Sequence, residues 1–99
     1  MLLITGTIRL PAHRVANALA VMRTMIEASR AEPGCREYSY AQDVLDPGLI
    51  RINELWESRD HLDAHFRSDH IAAWRANWTD LQITDRHLQL YETSDPQPT

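Results

Sequence analysis

The sequence predicts one α+β domain of order β-α-β-β-α-β, an antiparallel sheet with its helices on one face. Three observations predict it. Apolar residues alternate with period two in four separate runs. One long run of helical period stands between the first two of them. The turn Asp46-Pro47-Gly48 joins the second and third directly, as a hairpin requires. Composition agrees: 99 residues, 43% hydrophobic and 24% charged, make one globular domain with no room for a second.

Each element has its own warrant. Leu2–Leu10 places Leu2, Ile4, Ile8 and Leu10 on one strand face with Gly6, and Pro11 stops the ladder. From Ala12 to Ala31 the period changes. Val15, Ala18, Leu19, Met22, Met25, Ile26 and Ser29 fall within an arc of about 120° at about 100° per residue, an amphipathic helix closed by Glu32-Pro33-Gly34. Arg36–Val44 and Leu49–Glu57 alternate again as the hairpin, with Tyr38 and Tyr40 on one side of its first strand. Ile50, Ile52, Glu54 and Trp56 share one side of the second, with Leu49 and Leu55 opposite. Ser58 caps a helix running to Arg67 with Leu62, His65 and Phe66 inward, and Ser68-Asp69 caps a further segment with Ile71, Trp74 and Trp78 on one face. Gln82–Glu92 is the last strand. The domain spans residues 1–92, and the polar stretch 93–99, with two prolines, reads as a disordered tail.

Charge and composition exclude several functions. Ten basic against fourteen acidic residues leave a net charge of −4, a poor footing for nucleic acid. No apolar run approaches the roughly 20 residues of a membrane span, and the start lacks the pattern of a secretory signal. A lone cysteine, Cys35, forms no internal disulfide and agrees with a cytoplasmic location. Phosphate loops, nucleotide fingerprints and Ser-His-Asp patterns are absent, so no cofactor is expected.

Chemistry concentrates between the hairpin and the second helical region. His61, His65 and His70 cluster, and His61 and His65 have the i, i+4 spacing that zinc can use, but His61 lies on the polar side, no cysteine is near and a third ligand must be assumed, so no metal is expected. His65 shares the apolar face with Leu62 and Phe66. It is either a satisfied core histidine or a base facing a cavity. Glu54 sits among apolar neighbours, where a carboxylate is costly unless paired or wet. Of seven aromatic residues, six fall in this region: Tyr38, Tyr40, Trp56, Phe66, Trp74 and Trp78. They form either a bulky core or the walls of a slot for a flat ligand.

The run Glu32-Pro33-Gly34-Cys35-Arg36-Glu37-Tyr38, the strand end Glu54-Leu55-Trp56-Glu57-Ser58, and His65 with Ser68-Asp69-His70 resemble the antibiotic biosynthesis monooxygenase (ABM) domain, nearest its small quinol-monooxygenase-like members. The resemblance, from about Leu3 to Tyr91, implies a ferredoxin-like fold that dimerises through its sheets into an α+β barrel, with a pocket between sheet and helices. It further implies cofactor-independent oxidation of a phenolic, quinol or anthrone-like substrate by O2. Trp56 matches a pocket tryptophan of that family, and His65 and His70 match its helix histidines. The haem-degrading members differ: Thr5 and Thr7 stand where they carry a strand asparagine, and Arg75 where they carry the haem ligand. The expected base is His65, oriented by Glu54 or His70, with Trp56, Tyr40, Phe66, Trp74 and Tyr38 as walls. The expected partners are a small aromatic substrate, O2 and a second copy of the chain. An isomerase using the same pocket and a non-catalytic binding barrel are the alternatives.

Overall fold

A computed structural model describes residues 1–99. Its elements are β1 (Leu2–Arg9), a 3-10 turn (Ala12–Arg14), α1 (Val15–Arg30), β2 (Cys35–Gln42), β3 (Leu49–Trp56), α2 (Arg59–Phe66), α3 (Asp69–Ala76), α4 (Trp78–Leu81) and β4 (Thr84–Glu92). The strands lie in the order β2-β3-β1-β4, every neighbouring pair antiparallel. This is the ferredoxin-like arrangement: β3 inserts between β2 and β1, the two strands that α1 connects.

The alternation read from the sequence decides which face is covered. Leu2, Ile4 and Ile8 of β1, Ile50, Ile52, Glu54 and Trp56 of β3, and Tyr38 of β2 are all buried. Against them pack Ala18, Met22, Met25 and Ser29 of α1, Leu62 and His65 of α2, and Ile71 and Trp74 of α3. The opposite face is open, with Leu3, Leu49 and Leu55 half-buried and Tyr91 exposed. No helix is long and apolar enough to cross a membrane.

The structure differs from the sequence reading at several points, among them the last strand, which begins at Thr84 and not Gln82 because Gln82 takes a left-handed conformation at the end of α4. β2 ends at Gln42, not Val44, because Asp43 takes over the chain direction. Its carboxylate accepts the N–H groups of Leu45 and Asp46 at 2.9 and 3.0 Å, which opens the turn and leaves Val44 in solvent. The first helix begins as a 3-10 turn after Pro11 and becomes regular only at Val15. Leu19, at the edge of the apolar arc, is exposed. The two serine caps lie where expected: Ser58 Oγ accepts from His61 N and Ser68 Oγ from Ile71 N, each at 3.3 Å.

The connection from α1 to β2 sets the site. Glu32-Pro33-Gly34-Cys35 closes with Cys35 N–H donating to Glu32 O at 3.2 Å and Gly34 at φ +79°, as a type II turn requires. The ring of His61 lies flush over this turn, so a Cβ added to Gly34 would fall 2.2 Å from its Cγ. Gly34→Ala therefore meets both a left-handed backbone and an occupied space. It is expected to cost about 1–3 kcal/mol, read as a lower denaturation midpoint; an unchanged midpoint contradicts this account of the turn.

Candidate active site

The turn that holds Gly34 presents Glu32 to His65 and His70. His65 lies one helical turn beyond Leu62 on the inner face of α2 and is buried. Ser68 caps α3 and also donates its hydroxyl to His65 O at 2.7 Å, which fixes the end of α2 against the start of α3. His70 therefore stands beside His65, their ring centres 5.9 Å apart. Glu32 Oε1 lies 2.9 Å from His65 Nδ1 and also bonds His70 Nε2. A carboxylate accepts, so Nδ1 of His65 carries the proton and its Nε2 carries the lone pair.

That lone pair faces the sheet. Nε2 stands 3.8 Å from Glu54 Oε1, and the same oxygen accepts the Trp56 indole N–H at 3.1 Å. Trp56 is fully buried, with its ring centre 4.6 Å from that of His65. Beside Glu54 and His65 is a small cavity of about 30 Å³. Its floor is Ile8, Tyr38, Ile52 and Trp74; exposed Phe66, Arg75 and Arg86 stand at its mouth. The volume holds a water-sized guest. Trp78 Nε1 is buried at the same lining with no hydrogen-bond partner.

Burial sets the protonation states. It pushes the Glu54 carboxyl up to about 7, and the Trp56 N–H and the charge of Arg86 pull it only part of the way back. Burial lowers the His65 value, with Glu32 opposing, so the ring is held toward its neutral form. Desolvation pushes Tyr40 up to about 12 and Tyr38 further in the same direction, so both phenols stay neutral. The Cys35 thiol is pushed up to about 11, chiefly by burial, which makes it a poor nucleophile.

The structure thus brings together His65, Glu54, Tyr38, Tyr40, Phe66 and Trp74 around one cavity. Trp56 lies behind it, as the donor that anchors Glu54, and outside the cavity lining. His70 lies on the far side of His65 and meets it through Glu32. His61 takes no part: its Nδ1 is 2.7 Å from Ser58 Oγ and its ring covers Gly34. Sequence reasoning missed Glu32, Arg75 and Arg86. Glu32 sat inside a motif read only as a turn, and a carboxylate at the entrance of a Pro-Gly turn was the available signal.

A two-layer α+β domain with a buried imidazole between sheet and helices, flanked by carboxylates and aromatic rings, is the class defined by fold and site together. The chain belongs to the antibiotic biosynthesis monooxygenase family, whose model matches residues 1–77. An uncharacterised protein of Synechocystis is 27% identical over 96 residues, 97% of this chain and 65% of that protein. A Mycobacterium tuberculosis protein described as a monooxygenase by assignment only is 37% identical over 62 residues, 63% of this chain and 60% of its own length. The match therefore spans less than two thirds of either curated relative. Among solved structures, a Deinococcus radiodurans protein assigned to antibiotic biosynthesis monooxygenases superposes with a TM-score of 0.90 at 23% identity, covering 100% of this chain and 98% of that one. The structure of the mycobacterial relative superposes at 0.82 with 24% identity and 98% coverage of both chains. These likenesses bear on the fold.

The raised Glu54 value has a signed consequence. The folded state holds that proton more tightly than the unfolded chain, whose carboxyl titrates near 4.5. This contribution to stability is full below the unfolded value and is lost as pH rises toward about 7. Glu54→Gln keeps an acceptor for Trp56 and removes the titration. The melting temperature of the variant minus that of the parent should therefore increase from pH 5 to pH 8; a difference independent of pH contradicts the burial argument.

Proposed function

We propose that the protein is a cofactor-independent monooxygenase of a phenolic, quinol or anthrone-like substrate, with His65 Nε2 as the base. The observation that carries this reading is the lone pair of a buried, neutral imidazole, turned away from Glu32 at the lining of a small, partly open cavity. Dioxygen reacts slowly with closed-shell molecules, whereas a phenolate or carbanion can pass it one electron. His65 removes the substrate proton. The anion then reduces O2, the two radicals combine as a peroxide, and the O–O bond breaks. For an anthrone-type CH2 group, one oxygen remains as the new C=O and the other leaves as water with both hydrogens. Arg75, Arg86 and the unpartnered Trp78 N–H at the same cavity suit the developing oxyanion.

A cavity of about 30 Å³ does not hold an aromatic ring. Small-molecule sites measure about 300–1,000 Å³, so substrate binding requires the mouth residues Phe66, Arg75 and Arg86 to part. All three are exposed side chains at the surface of the domain. The same adjacent pair, His65 and a Glu54 titrating near 7, also suits an isomerase that takes a proton with one group and returns it with the other. Oxygen consumption separates the two readings.

The proposed working form is a homodimer joined through the open sheet face. Leu55, Leu3 and Tyr91 lie in one cross-strand row there, a strip of apolar surface near one end of a sheet face with no second layer. Light scattering at micromolar concentration should give twice the 11.4 kDa chain mass; a species of the single mass alone contradicts the dimer.

The base assignment is tested by His65→Gln, with oxygen consumption followed on a panel of quinols and anthrones. Turnover should fall by about 10²–10⁴-fold while the fold persists, and the deficit should shrink at high pH as substrate ionises unaided. A folded variant with parental turnover defeats the assignment. A parent that forms oxidised product from no member of the panel defeats the substrate class.

A further inference from the structure

We propose that Glu32, His65 and His70 form a binding site for a divalent transition-metal ion of the zinc class, and that filling it removes His65 as a base. The second half rests on the functional reading above; the site itself does not. One ligand atom from each of the three residues lies within 4.8 Å of the other two, and Glu32 Oε1 bonds both His65 Nδ1 and His70 Nε2. An ion bound at about 2.0–2.1 Å from each ligand holds its donors about 3–3.5 Å apart. His65 Nδ1 and Glu32 Oε1 already stand at 2.9 Å. His65 is fixed by burial, whereas Glu32 and His70 retain partial exposure and can turn outward to admit the ion. Two imidazoles and one carboxylate suit zinc, iron, nickel or copper and leave a position open to water.

A second observation points the same way. A histidine that ligates metal through one ring nitrogen ordinarily donates its other N–H to a carboxylate. Glu54 Oε1 faces His65 Nε2 at 3.8 Å and is itself anchored by Trp56. The buried carboxylate behind the ring is thus already in the place of such a partner. Glu32 and His70 are on one side of the imidazole and the cavity is on the other.

The chemical consequence follows from the single lone pair of a neutral imidazole. With Nδ1 protonated toward Glu32, Nε2 is free to accept a proton in the cavity. With an ion on Nδ1, the ring proton moves to Nε2 and points at Glu54. The same ring cannot ligate the metal and act as the base.

The test uses the full chain freed of metal. Titration with Co²⁺ should give visible absorption bands saturating at one ion per chain, displaced by Zn²⁺. His70→Ala should weaken binding at least tenfold, and His87→Ala, at an exposed residue outside the cluster, should leave it unchanged. Anomalous diffraction from zinc-soaked crystals should place the ion on His65 Nδ1. Absence of saturable binding, binding indifferent to His70→Ala, or an ion that leaves His65 Nδ1 unligated would each overturn the proposal. None of these readouts uses turnover, so failure of the monooxygenase reading leaves them interpretable.

Discussion

One carboxylate oxygen organises the interior. Glu32 Oε1 receives hydrogen bonds from two imidazoles, His65 and His70, that lie on consecutive helices. Buried polar groups are costly without partners, by about 1–3 kcal/mol each, so the α1–β2 turn, α2 and α3 must keep one relative position for the site to be satisfied. The type II turn at Pro33-Gly34 supplies Glu32, the Ser58 cap sets the start of α2, and Ser68 joins α2 to α3. These features serve one end, the orientation of a single buried ring.

That ring has different surroundings on its two sides. Toward Glu32 and His70 it is hydrogen-bonded and partly reachable from solvent; toward Glu54 and Trp56 it is packed among buried side chains beside the cavity. Glu54, held near 7 by burial, is not an ordinary surface carboxylate, and its only hydrogen-bond donor is an indole N–H. A domain of 99 residues has a thin core, and this one uses part of it for polar groups. The cost is offset only if those groups are mutually satisfied, which explains why the aromatic residues crowd them so closely.

The fold was legible because its signals are periodic. Alternation in β1 and β3, the helical period of α1 and the two serine caps each predict a local structure, and their order leaves few topologies. The site was only partly legible. His65 and Glu54 were identifiable because a titratable group on an apolar face is an anomaly that one sequence reveals. Glu32 was not, since its partners lie 33 and 38 positions away and their meeting depends on how the turn packs on α2 and α3. The sequence reads Trp56 as a wall; hydrogen bonding by its indole to a residue two positions earlier on the same strand face is visible only in three dimensions. Arg75 and Arg86 resemble any exposed arginine until the fold brings both to the lining of one cavity.

The central claim is that Glu32 sets the proton on His65. Long-range ¹H–¹⁵N spectra of the metal-free protein, with histidine labelled, read the tautomer of each ring directly. The account predicts that His65 carries its proton on Nδ1 in the parent and that Glu32→Gln, whose amide can donate to that nitrogen, shifts the ring toward the Nε2–H form. A parent ring already protonated on Nε2, or a tautomer indifferent to Glu32→Gln, would contradict it.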